Sequence, residues 1–173
     1  MQGGIRFDFA PLLRSTAPFP RGPMISPIIY QFIVGGFVSV IDFGIHAVMT
    51  GLIVIVTRRV AGRTDDLHVF LRVFALLMIT LNALMVAHVV EIAMWATLYA
   101  WMGVETATAS AFEFAFENYT ALGYGDAVPG GGYRLIGPIT SLNGLLLIGW
   151  SVAIIFEVLK MAEVQVAFKK SGG

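Results

Sequence analysis

The sequence predicts an all-α membrane protein with three transmembrane helices and a fourth, short helix that enters the bilayer without crossing it. Three observations carry this. The 173 residues are 57% hydrophobic and only 13% charged, about half the charged fraction of an ordinary soluble domain. The apolar residues fall into runs long enough to cross a bilayer. Between the second and third runs sits another apolar piece that is too short to cross. Mean hydropathy is +0.81. Formal net charge is zero and there is no basic tract, so a nucleic-acid partner is not expected. The absence of cysteine rules out a disulfide, a thiolate nucleophile and a cysteine-held metal.

Residues 1–23 read as an irregular or interfacial tail. Arg6, Arg14 and Arg21 are spread out, and Pro11, Pro18, Pro20 and Pro23 interrupt any apolar core, which argues against a cleaved signal. Phe7, Phe9, Leu12 and Leu13 suit the headgroup level. The first span covers 24–57, built on the apolar stretch Ile25 to Val56, and a loop follows at 58–68.

The second span covers 69–102. At a rise of 1.5 Å per residue it would be roughly 51 Å long, beyond a hydrocarbon core of about 30 Å, so it must tilt or extend into the interface. Trp95, Tyr99 and Trp101 gather near its end, as an aromatic belt does. Thr106 to Tyr119 is apolar but only roughly 21 Å long as a helix, so it reads as re-entrant, with a helix over 108–119. Phe112, Phe114 and Phe116 alternate with a period of two, the pattern of a strand. An isolated strand cannot satisfy its backbone in a bilayer, so a helix is expected, its aromatics buried on all sides. The third span covers 135–159, and 161–173 forms a short tail.

Charge orients the spans. Arg58, Arg59, Arg63 and Arg72 lie around the first loop, and Lys160, Lys169 and Lys170 lie near the end of the chain. Between Gly103 and Tyr133 there is neither Lys nor Arg. The positive-inside rule makes the loop and tail cytoplasmic, opens the re-entrant segment to the outside, and puts the N-terminus outside as well. The three N-terminal arginines run against that placement.

Residues Phe114 to Pro129 read F-A-F-E-N-Y-T-A-L-G-Y-G-D-A-V-P. Irregular backbone at membrane depth is tolerated where it lines a watery path. Gly123 and Gly125 can take positive φ without steric cost, so successive carbonyls can face one axis. Four copies around that axis would stack rings of oxygens that replace the water around a dehydrated cation, and one chain cannot close such a ring. The bland reading, a glycine-rich surface turn, has to explain Thr120, Asp126 and the flanking spans as coincidence.

On these residues the chain resembles the potassium-channel pore-domain family over about residues 70 to 159. The resemblance implies a homotetramer with an outer helix at 69–102, a pore helix at 108–119, a selectivity filter at 120–126 and a pore-lining inner helix at 135–159, within a pore domain 69–160. It implies K+ as permeant ligand, with no other cofactor, held by the carbonyls of Ala121, Leu122, Gly123 and Tyr124, with Thr120 and Gly125 completing the filter. Glu117 lies nine residues before Asp126, where family members place a carboxylate that braces the filter against that Asp. Two close carboxylates would share a proton. Gly144 and Gly149 fall at the family's gating hinge; close packing by small residues is the equal alternative. Ala121 stands where most members carry threonine, so four cavity-side hydroxyls are missing and the innermost ion site should be weakly occupied. Leu122 replaces the commoner valine.

Polar residues inside the spans form a second set. Asp42 and His46 share one face of the first span, and His88 and Glu91 one face of the second. Counting from the span midpoints puts Asp42 and His88 at nearly the same depth, so these two are expected to touch. Two roles fit: a buried clamp holding the extra helix to the pore domain, or a proton-sensitive switch. A metal site of an intramembrane hydrolase is a further reading, but no HExxH pattern or defined nucleophile is present. Asn82 is expected to bond across helices. No span carries arginine at every third position, so no voltage sensor is expected, and the tail is too short for a ligand-binding domain. The expected role is a passive, potassium-selective, non-enzymatic channel in the plasma membrane, contacting lipid. The alternative is a non-conducting protein of the same fold that binds lipid or partner subunits.

Overall fold

Proline has no amide hydrogen and a fixed φ, so it is well suited to the first position of a helix. Pro27 takes that place in α1 (Pro27–Arg63). The computed structural model describes residues 27–63, 69–104, 110–123 and 132–171, with the side chains of 61–63 and 163–171 outside the description. Three more helices follow: α2 (Val69–Met102), α3 (Ala111–Tyr119) and α4 (Ile136–Ser171). Among the described residues there is no strand. The tail at 1–23 and residues 64–68 of the loop at 58–68 lie outside them.

Helices α1, α2 and α4 are each long and apolar enough to cross a membrane. The chain is therefore an all-α, multi-pass membrane protein. Each long helix outruns the bilayer: α4, with 36 residues, is about 54 Å long. It continues twelve residues past the apolar stretch that ends at 159, through Lys160 and on to Ser171. That segment holds neither Gly nor Pro until Gly172, so nothing in it breaks the i→i−4 ladder. Helix α1 likewise persists past 57, through Arg58 and Arg59.

The ends of α2 and α3 share one chemistry. After α2, Gly103 takes φ 62, its amide donates to the Ala100 carbonyl at 3.3 Å, and the Val104 amide donates to the Tyr99 carbonyl at 3.0 Å. This pair of bonds around a left-handed residue is a Schellman motif, completed by the burial of Val104.

Helix α3 starts with a capping box. The Glu113 amide donates to Ser110 Oγ at 3.3 Å, and the Ser110 amide donates to Glu113 Oε2 at 2.7 Å. That donated amide holds the Glu113 carboxyl below the usual carboxylate range. The three phenylalanines sit on this helix, not on a strand. Only Phe114 is buried; Phe112 and Phe116, one turn apart and in ring contact at 6.3 Å, are each 43% exposed. The expected burial on all sides is therefore not met within one chain.

Two apolar clusters divide the molecule along its length. One joins Trp95, Tyr99, Phe114, Tyr119, Ile136 and Leu147 and seats α3 between α2 and α4. The other joins Ile53, Leu76, Leu84, Ile154 and Val158, where α1, α2 and α4 continue together without α3. The short helix thus occupies one half of the depth only, the geometry of a re-entrant element.

The extra helix packs on α2 and α4 of its own chain. Gln31 fastens it. Its buried side chain accepts from the Leu135 amide at 2.9 Å and donates to the Gly132 carbonyl at 3.1 Å, satisfying a backbone donor just before α4 that the helix itself cannot. The starts of α1 and α4 therefore lie at one end of the bundle, as three crossings require. Gly35 allows the approach: a Cβ there would lie 2.8 Å from Ile139 Cγ2.

Candidate functional site

The segment leaving α3 repeats the α2 ending with one change. The Ala121 amide donates to the Asn118 carbonyl and the Leu122 amide to the Glu117 carbonyl, both at 3.0 Å. This is again a Schellman motif, but its left-handed residue is Ala121, at φ 54, where α2 uses glycine. Gly123 is left-handed too, at φ 57. Thr120 caps the helix, its Oγ1 donating to the Phe116 carbonyl at 2.9 Å.

Thr120, Ala121, Leu122 and Gly123 are all exposed in the single chain. Among the described residues no donor reaches their carbonyl oxygens. Tyr124, Gly125 and Asp126 lie outside the described residues, and with them the expected Glu117–Asp126 brace; Glu117 itself is half-buried on α3.

Ala121 in the left-handed region gives a conformational side to the missing threonine. A β-branched residue fits poorly at positive φ. Ala121→Thr is therefore expected to destabilise the chain by about 1 kcal/mol, although it restores a hydroxyl, while Ala121→Gly is neutral or stabilising. Thermal unfolding in detergent measures both. A threonine variant as stable as the parent contradicts the left-handed assignment.

Of the two hinge candidates on α4, Gly144 and Gly149, only Gly144 has a neighbour. A Cβ there would run into the carbonyl and ring of Tyr119, so Gly144 lets α4 meet the end of α3 backbone to backbone. Gly149 has nothing within 4 Å. Helix α4 runs unbroken through both. Beside this seam, Ser141 Oγ donates to the Asn118 carbonyl at 2.7 Å. One layer away, the Tyr99 hydroxyl lies 2.5 Å from Thr140 Oγ1. Thr140 gives its own hydrogen to the Ile136 carbonyl, so Tyr99 is the donor. The Gly144 and Ser141 contacts bind the last turn of α3 to α4, and the Tyr99 contact ties α2 to α4 beside them.

The intramembrane polar residues also gather behind that last turn, with partners different from those expected. Asp42 does not bond His88. Its Oδ2 accepts from Asn143 Nδ2 at 3.2 Å. His46 instead meets Glu91, Nδ1 to Oε1, at 2.8 Å, and His88 Nδ1 lies 3.0 Å from Glu91 Oε2. Depth counting errs here by one helical turn, the four-residue step from Asp42 to His46 (about 6 Å).

Tyr119 and Ser151, which the sequence reading passed over, complete the group. The Tyr119 hydroxyl donates to Glu91 Oε2 at 2.5 Å and lies 2.8 Å from His88 Nδ1. Ser151 Oγ lies 2.9 Å from His88 Nε2 and 3.4 Å from His46 Nε2. His46 and Glu91 are fully buried, and Trp150 packs beside the His46 ring at 5.4 Å. Among the described residues Asn82 bonds no other helix: its Nδ2 donates to the Met78 carbonyl of its own helix at 2.7 Å.

His46, His88 and Glu91 place donor atoms within 4.8 Å of one another. By residue type such a set suits a divalent ion. Each of those atoms, however, already has a hydrogen-bond partner in the protein.

A long helix, a half-depth helix that ends in an irregular exposed turn, and a second long helix packed against that ending together define the pore-loop arrangement. The comparisons agree: residues 86–161 match the family model described as an ion channel, so over this stretch the chain is similar to ion channels. No curated protein and no solved structure matches the chain significantly.

Proposed function

We propose that the protein is a potassium-selective channel of the plasma membrane that conducts passively as a homotetramer, without enzymatic activity. The observation that carries this reading is the backbone after α3. Ala121 and Gly123 are left-handed while Leu122 between them is not, and the carbonyls of 120–123 are exposed and take no donor among the described residues. Alternating handedness turns successive carbonyls toward one side, as rings of oxygen around an ion require. One chain supplies one quarter of each ring. The exposed apolar side chains of α4, among them Leu142, Leu145 and Phe156, suit burial against other subunits and lipid. K+ is held by the carbonyls of Ala121, Leu122, Gly123 and Tyr124, Glu117 and Asp126 brace the filter from behind, and the C-terminus is cytoplasmic.

Reconstitution into liposomes under a potassium gradient tests this. Potassium flux that exceeds sodium flux under the matching gradient is expected. No flux at any pH or voltage supports the non-conducting alternative, and comparable sodium flux contradicts selectivity. In crystals soaked with thallium or rubidium, anomalous density should be weakest at the innermost site, beside Ala121; full occupancy there contradicts the role given to the missing hydroxyls.

A further inference from the structure

Five side chains drawn from all four helices close a ring of hydrogen bonds behind the filter end of α3, with one further contact, His88 Nδ1 to Glu91 Oε2 at 3.0 Å, inside it. Round the ring, Glu91 Oε2 meets the Tyr119 hydroxyl at 2.5 Å, and that hydroxyl meets His88 Nδ1 at 2.8 Å. His88 Nε2 meets Ser151 Oγ at 2.9 Å, and Ser151 Oγ meets His46 Nε2 at 3.4 Å. His46 Nδ1 returns to Glu91 Oε1 at 2.8 Å. Both nitrogens of both imidazoles are used, and both oxygens of the carboxyl group.

A hydrogen bond takes one proton per link, so a ring of five links is complete with five protons. Two neutral imidazoles, a carboxylic acid, a phenol and an alcohol carry five in total. An imidazolium, a carboxylate, a neutral imidazole, a phenol and an alcohol also carry five. In the first arrangement Glu91 donates to Tyr119, Tyr119 to His88, His88 to Ser151, Ser151 to His46, and His46 to Glu91. In the second, with His46 as the cation, Tyr119 and His46 both donate to Glu91, His88 donates to Tyr119, Ser151 to His88, and His46 to Ser151. Each arrangement is neutral overall, which burial favours, and each leaves no atom of the ring unpaired. A sixth proton makes both imidazoles cations beside one carboxylate; it adds an uncompensated buried charge and leaves Ser151 Oγ with a donor on each side and no acceptor in the ring for its own hydrogen.

We propose that this ring is a proton-counting switch that couples the extra helix to the filter. Complete at five protons, it holds Tyr119; a sixth proton, gained on acidification, opens the long Ser151–His46 link and frees the end of α3. His46, His88 and Glu91 are the groups that exchange protons with the surroundings, while Tyr119 and Ser151 keep theirs and only reorient. Facing the ring from α1 is Asp42, one turn from His46 and bonded to Asn143. From α2 the ionisable neighbours are the ring members themselves and Tyr99, two turns beyond Glu91. From α3 it is Glu117, two residues before Tyr119. Helix α4 offers none between Ile136 and Phe156. Opening the ring reaches the filter because Thr120 follows Tyr119 directly and the Tyr119 carbonyl lies against Gly144. Potassium flux is therefore lost at acid pH.

The switch rests on the channel reading, and the test separates the two. The chain has three histidines, so removing His68 leaves only His46 and His88 in a 15N-histidine NMR spectrum of the lipid-reconstituted protein. In the His68→Ala background both imidazoles are expected to change together in one pH step, because interacting sites titrate as a unit. Adding Ser151→Ala should split this into two steps on the order of one pH unit apart. Ser151→Thr, which keeps the hydroxyl, should restore the single step. Independent titration before Ser151 is changed, or a profile that Ser151→Ala leaves unaltered, overturns the ring. Stoichiometric uptake of Co2+ or Zn2+ that fixes both imidazoles overturns it in favour of a metal centre. Flux that persists unchanged across the pH step overturns the coupling. A single step that Ser151→Ala splits, in a protein that passes no ion at any pH, upholds the ring and overturns the channel reading instead.

Discussion

Replacing Gly144 by alanine is expected to dislodge α3 from α4 and to cost at least about 2–3 kcal/mol, the upper range for overpacking. The added methyl meets the Tyr119 main chain and the root of its ring. Side chains can rotate away from an intruder; a main-chain carbonyl at a helix end moves only with its helix. Tyr119 is held in turn by Glu91 and His88, so α3 cannot slide without breaking those bonds. Gly149→Ala, one and a half turns along the same helix, meets nothing and should be neutral or up to about 1 kcal/mol stabilising through helix propensity. Thermal unfolding of the detergent-solubilised protein compares the two. Equal stability of the two variants contradicts the close approach at Gly144, and a Gly149 variant that is stable but fails to conduct marks that position as a hinge.

Glu91→Leu is expected to be the most damaging change within the polar group, at about 3–5 kcal/mol. The carboxyl group serves His46, His88 and Tyr119 together. Its loss leaves the buried His46 and Tyr119 and the half-buried His88 facing an alkyl chain, each with a desolvation cost of up to about 1–3 kcal/mol that relaxation only partly offsets. Glu91→Gln keeps the shape and one acceptor oxygen and should lose markedly less. Chemical or thermal unfolding in detergent reads both. A leucine variant as stable as the glutamine variant shows that the bonds to Glu91 contribute little to holding the helices together.

The three spans, the half-depth helix and the turn at Gly103 follow from short-range features of the chain. Run length sets the crossings; the Ser110–Glu113 spacing and the glycine after Met102 carry helix-end signals that the helix expected over 108–119 did not draw on. The alternating phenylalanines mislead locally, and the requirement to satisfy the backbone in lipid corrects them. The polar group was half legible. Asp42, His46, His88 and Glu91 stand out because ionisable residues are costly in a span. Their partners do not, because counting residues from a midpoint gives height along a helix but not the direction a side chain faces. Tyr119 and Ser151 are unremarkable letters in sequence, and only the packing of α3 and α4 against α2 turns their hydroxyls toward the imidazoles. Ala121 in the left-handed region gave no warning either, since the usual signal for that conformation is glycine or asparagine.

The Gln31 clasp carries a consequence for how the chain is made. Its two distant main-chain partners, Gly132 and Leu135, lie 101 and 104 residues later. At about 5–20 residues per second, translation leaves a gap of about 5–20 s between the emergence of the first helix and that of its partners. During that interval the amide need not stay bare in lipid, because its nitrogen also reaches the Pro27 carbonyl one turn back, at 3.0 Å. Gln31 can therefore enter the bilayer on a local bond and exchange part of its hydrogen bonding for the late-arriving main chain. Helix α1 would be locked in place only when α4 is threaded.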